Sequence, residues 1–182
     1  MKKTILFTLC LLVSSITFSQ KMMTRTGEIK FDASVPDEAE IIGINKTASS
    51  ILDESNGDFV ALALVKAFKF KAPLMEEHFN ENYMESTQFP KATFKGKIKN
   101  FDSSKLSSTK TVYDIEGDLT IHGVTKKVKT KISLSSSGGK VNAVSTFSVK
   151  PEDYKIEIPS LVKSKFAENI KIVINFALEA GK

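Results

Sequence analysis

Only a few side chains in this sequence stand where they could do chemistry. His122 sits in the run Thr120-Ile121-His122-Gly123-Val124-Thr125. A positioned histidine can serve as an acid or base. This one falls at a break between two alternating stretches, and histidine tolerates the left-handed backbone of a tight turn. The hydroxyls of Thr120 and Thr125 could bond locally and pin that turn. His78 stands beside Glu76 and Glu77. A zinc site takes three or four protein ligands, so carboxylates would have to complete any site built from two histidines. Asp114, Glu116 and Asp118 are closely spaced, as paired hydrolytic carboxylates are. On a strand they share one face, opposite Ile115 and Leu119, where lysines of a neighbouring strand would meet them. Asn45-Lys46-Thr47 fits a glycosylation acceptor. The chain has no Gly-x-Ser-x-Gly elbow and no phosphate-cradling Gly-rich loop. These residues predict a non-enzyme with no catalytic residue, no metal site and no cofactor.

The elements that carry them are mostly strands. "TGEIKFDAS" puts Ile29 and Phe31 on one face. "EIIGINKTASSILDE" gives one or two strands with a bend near Ala48 to Ser50. Asn56-Gly57-Asp58 is a hairpin turn pattern. "FVALALVKAFKF" then reads as one long strand, with Val60, Leu62, Leu64, Phe68 and Phe70 on one face and Phe59, Ala61, Ala63 and Val65 on the other. Pro73 ends it. "LMEEHFNENYMES" is the one convincing helix, with Leu74, Met75, His78, Phe79, Asn82 and Tyr83 in helical rhythm. After Pro90 strict period two returns. Ala92, Phe94, Gly96 and Ile98 oppose lysines. Tyr113, Ile115, Gly117, Leu119 and Ile121 share a face. Gly138-Gly139 makes a further hairpin turn. Val141, Ala143, Ser145, Phe147 and Val149 alternate with polar residues, and Ile170, Ile172, Ile174, Phe176 and Leu178 line the last strand. So many alternating segments predict an antiparallel sheet, closed into a sandwich or barrel.

The first 20 residues read as a secretory signal peptide: Lys2 and Lys3, an apolar Ile5 to Val13, then small residues. Residues 21–182 then form one domain, expected in the periplasm or secreted. The only cysteine, Cys10, lies inside the apolar stretch, too early for a lipoprotein anchor. The net charge is +5, of which Lys2 and Lys3 carry two, leaving +3. That suits weak peripheral contact with an anionic membrane surface. It is no basic stripe for nucleic acid. "FKGKIKNF" mixes aromatics with lysines, but stacking on bases needs both on one face, and here they oppose each other.

Three stretches stand in a distinctive order: "HFNENYMESTQFPKATFKGKI", "YDIEGDLTIHGVTKKV" and "FSVKPEDYKIEIP". Together they resemble the YceI family, with the Leu-Thr-Ile-His-Gly-Val-Thr run as the hallmark, over roughly residues 22–180. The resemblance implies an all-β fold: an eight-stranded antiparallel lipocalin-like barrel with one short helix between strands. It also implies a long apolar pore holding a polyisoprenoid, or another amphiphile with a fatty-acyl or similar tail. Alternation supplies candidate pore-lining residues: Leu62, Leu64, Phe68, Phe70, Phe94, Ile98, Tyr113, Ile115, Phe147, Ile172 and Ile174. Phe79 and Tyr83 would plug one end from the helix. Three readings stay open: a lipid carrier or store, an interaction module whose barrel is filled by its own side chains, and an enzyme acting on a lipid. The residues leave the oligomeric state open, a dimer included.

Overall fold

Where alternation runs unbroken, the chain forms strands. A computed structural model describes residues 21–181, so the expected signal peptide lies outside the described residues. The strands are β1 (Lys21–Asp32), β2 (Ile42–Asp53), β3 (Asp58–Leu64), β4 (Lys91–Ile98), β5 (Thr111–Ile121), β6 (Val124–Ser137), β7 (Lys140–Val149) and β8 (Ile170–Ala180). Each pairs antiparallel with its sequence neighbours, and β8 returns to β1, closing an eight-stranded barrel. Closure leaves no long edge exposed. Helix α1 (Pro73–His78) continues as a π-helical turn over Phe79–Tyr83. Proline at its start costs nothing, because the first turn's N–H groups have no helical acceptor.

The turns follow local chemistry. His122 and Gly123 both adopt positive φ, 49° and 72°, and Ile121 pairs directly with Val124. This two-residue turn matches the twist of the strands it joins. Gly138 and Gly139 do the same between β6 and β7.

The barrel has two unlike ends. Connections 33–41, 65–90, 122–123 and 150–169 gather at the upper end. Connections 54–57, 99–110 and 138–139 close the lower end. The lower half is packed solid by Leu52, Phe59, Ile98, Ile132, Leu134, Phe176 and Leu178. Phe101, Leu106 and Tyr113 press on this core.

Two sequence expectations need correction. The segment 59–70 is not one strand. It stops at Leu64, makes a 3-10 turn over Val65–Ala67, and touches β2 again only at Lys69. Its inward face is Phe59, Ala61, Ala63 and Val65, all buried, while Val60 and Leu64 are exposed. Both faces are apolar, so alternation could not choose between them. The pairing with β4 decides: Phe59, Ala61 and Ala63 lie opposite Gly96, Phe94 and Ala92, the inward residues of that strand. Second, β2 is one strand, and the expected bend near Ala48 is a pair of register shifts shared with β1: between Thr24 and Gly27 the extra residue lies in β1, and between Gly27 and Ile29 it lies in β2, just before Ala48.

Candidate functional site

The upper half of the barrel is hollow. A cavity of about 460 Å³ lies beneath α1 and the 150–169 connection. It is open because the residues facing it are small on one side: Ala61 and Ala63 from β3, and Ala92 from β4. The opposite wall is larger, with Phe147 and Ile172 from β7 and β8. A cavity of this size falls within the ~300–1,000 Å³ common for small-molecule sites.

Its roof is an aromatic cluster. Phe79 of the π-helical turn stacks on Phe31 of β1, with ring centroids 5.3 Å apart. Phe70 and Phe68 close around Phe79 at 5.0 and 5.7 Å. Gly43 of β2 lies under Phe31, where any Cβ would overlap the ring. Tyr83 meets Phe166 of the 150–169 connection at 5.6 Å, joining the two roof pieces. Single π-helical turns inside helices occur often at functional sites.

Among the described residues, no lysine, arginine, aspartate or glutamate lines the cavity. Among the described residues, the lining side chains that carry a polar atom on the inward side are His78, Tyr83 and Tyr154; Thr93 has the outward parity of Lys95. Burial, with the neighbouring Asp153 charge, pushes the Tyr154 phenol above its ordinary value, so it faces the cavity uncharged. Among the described residues, no three histidine, cysteine or acidic side chains stand together as a metal set. The interior therefore favours apolar matter and offers little to hold a charge.

The thirteen side chains expected at the pore divide between two places, with two exceptions. Phe68, Phe70, Phe79, Tyr83, Phe94, Phe147 and Ile172 border the cavity. Ile98, Tyr113, Ile115 and Ile174 also face inward, but they belong to or pack on the filled lower half. Alternation reports the face of a strand and not the height along it, so these four were indistinguishable from the rest. Leu62 and Leu64 are the exceptions: both take the outward parity of Val60, and Leu64 is 48% exposed. Sequence reasoning missed Ile29, Ala63, Ile121 and Tyr154 at the cavity. Ile29 and Ile121 could have been found from their strand parity.

His122 serves the architecture of this end. Its Nδ1 lies 3.1 Å from the Tyr154 carbonyl, and its Nε2 2.7 Å from Glu85 Oε2. The carbonyl can only accept, so Nδ1–H donates to it, and the role of Nε2 toward Glu85 follows the tautomer. Phe89 packs against the ring at 4.4 Å. The histidine thus ties the β5–β6 turn to the segment after α1 and to the Pro151–Tyr154 turn. Glu85, His122 and Lys155 all hold left-handed φ at this junction. Thr120 and Thr125 bond each other at 2.8 Å across the hairpin, as expected. The β6–β7 ladder begins only at Ile132 and Ser145, so above it the Pro151–Tyr154 turn covers the gap.

Three other motifs resolve as structure. Asp114, Glu116 and Asp118 face Lys131, Lys129 and Lys127 across β5–β6, in ion pairs of 2.9, 3.5 and 3.5 Å. Asn45 is fully buried; its amide donates to the Leu64 carbonyl at 3.0 Å, and its Oδ1 accepts from Thr47 N at 2.8 Å. It is a strand anchor, unavailable as a glycosylation acceptor. In "FKGKIKNF", Phe94 faces the cavity while Lys95 and Lys97 are exposed.

A family model for the YceI-like domain matches residues 3–178. No curated protein matches the sequence. Solved structures resemble the fold at low identity. A polyisoprenoid binding domain from Saccharophagus degradans, implicated in plant cell wall breakdown, is 14% identical, with a TM-score of 0.76 over 90% of this chain and 100% of that one. BcnA of Burkholderia cenocepacia is 15% identical, with a TM-score of 0.70 over 85% and 96% of the two chains. A Campylobacter jejuni YCEI protein is 16% identical, with a TM-score of 0.58 over 77% and 84%.

Proposed function

The chain belongs to the YceI-like domain family, and from that premise we propose that it is an exported, non-catalytic lipid-binding protein. Its cavity holds the apolar tail of an isoprenoid or related amphiphile, for carriage or storage in the periplasm or outside the cell. One observation carries the reading: an open 460 Å³ space whose lining, among the described residues, includes no lysine, arginine, aspartate or glutamate. Burying apolar surface there yields about 25 cal/mol per Å², with no charge left to desolvate. The Saccharophagus degradans domain of the same fold is a polyisoprenoid binding domain, which supports the choice of ligand class. A polar head would remain at the rim, since among the described residues the wall offers it few side-chain polar partners, His78, Tyr83 and Tyr154.

The reading of the barrel as a module filled by its own side chains describes the lower half alone. The test is native mass spectrometry of the protein from its exported fraction, with organic extraction of bound material. A discrete added mass that extracts as an isoprenoid or acyl chain is expected. A clean apo mass that persists after incubation with such lipids overturns the proposal.

A further inference from the structure

We propose that Phe94, Phe59 and Phe176 form a chain-length ruler, so that the cavity selects tails of about farnesyl length over longer ones. The inference rests on the lipid-binding reading and specifies its ligand.

The cavity does not run through the barrel. From β3 into the turn that follows it, the cavity spans Ala61 to Val65, five residues or at most about 13 Å of chain. The longest strand, β6, has 14 residues, about 46 Å. The space ends where the Phe94 ring turns downward from the cavity wall, over Gly96 and Gly117. A Cβ at either glycine would overlap that ring, so these two bare positions let the phenyl lie in the lumen. Phe59 sits 6.4 Å from Phe94, and Phe176 stacks on Phe59 at 6.2 Å. Phe176 in turn lies where a Gly27 side chain would be. The row crosses from β4 through β3 to β8. Phe59 is 1% and Phe176 0% exposed, and close-packed residues lie below them. At about 30 Å³ per packed heavy atom, the share of one water in the liquid, about 460 Å³ holds about fifteen heavy atoms. A farnesyl chain has that many carbons.

The experiment measures displacement of the apolar probe N-phenylnaphthylamine by geraniol, farnesol and geranylgeraniol. In the native protein, affinity should rise from geraniol to farnesol and then level off, because the added isoprene unit finds no space. In Phe94→Ala the rise should continue to geranylgeraniol, each newly buried methylene strengthening binding up to about fourfold. Ala63→Leu narrows the cavity from above the floor and should move the plateau back to geraniol. It keeps the test decisive if Phe94→Ala fails to fold by circular dichroism. Continued rise in the native protein overturns the ruler, as does an unshifted plateau in either folded variant. If no prenol displaces the probe from native protein, the lipid-binding reading itself is overturned, a result distinct from a misplaced floor.

Discussion

His122 is the residue a chemist would choose first, and its surroundings assign it to holding the roof. Two acceptors from separate connections converge on one ring, and a phenyl covers it. His122→Asn keeps a residue that tolerates the left-handed turn but cannot span both partners. It should cost about 1–3 kcal/mol of stability, the range for a broken partly buried hydrogen-bond pair. Urea unfolding measures this, and amide exchange should quicken around residues 150–158. Unchanged exchange there would remove the clamp assignment. Tyr113 gives the opposite case. Its hydroxyl is buried among the described residues with no partner, beside Phe101 at 6.0 Å. Tyr113→Phe deletes an unsatisfied group at almost constant volume. Its melting temperature should hold or rise, and a clear fall would mean the hydroxyl is bonded after all.

At the scale of the element, legibility depended on contrast between the faces of a strand. On β5 every outward residue from 114 to 118 is an acid, and on β6 every partner is a lysine, so parity was plain in the letters. On β3 both faces are apolar, and only its pairing with β4 fixed which one turned inward. The β5–β6 ladder also carries a pH dependence. The Lys131 hydrogen bond and charge hold the Asp114 carboxyl below its ordinary value. The Lys99 hydrogen bond, assisted by the Lys129 charge, does the same for Glu116. Groups depressed in the folded state stabilise it above their unfolded values, near pH 4, and that contribution is lost as pH falls through the folded ones. Unfolding midpoints in urea should therefore drop below about pH 4, and drop less steeply in Glu116→Gln. An unchanged slope would show that the exposed pairs are screened to nothing. The faces should also separate function from surface. Lys127→Glu should leave folding and ligand retention intact. Ile172→Asp, which puts a carboxylate on the cavity wall, should abolish one or the other, read by lipid extraction and circular dichroism.

The whole molecule joins two regimes in one closed sheet. Below the phenylalanine floor, packing is complete and stability is intrinsic to the chain. Above it, alanines replace large residues and the roof is built of connections, so a ligand in the space would add to the stability of this half. The count of strands and the closed sheet were legible because period two repeats along almost the entire chain. The division into halves was not, because it depends on which inward positions stack at one height, and the sequence orders residues along strands and not across them. The division makes ligand removal informative. Protein stripped by organic extraction should melt lower than protein saturated with farnesol, since a ligand at a hundred times its Kd adds about 2.7 kcal/mol. The gain in amide protection should be confined to the upper half: the 65–90 and 150–169 connections and the adjoining strand ends. Leu52, Ile132, Leu134 and Leu178 already exchange only through global unfolding in this scheme, so their protection should rise by no more than the global increment. Slowed exchange concentrated in the lower half instead would mean that the ligand enters beneath the floor and that the aromatic row yields to it.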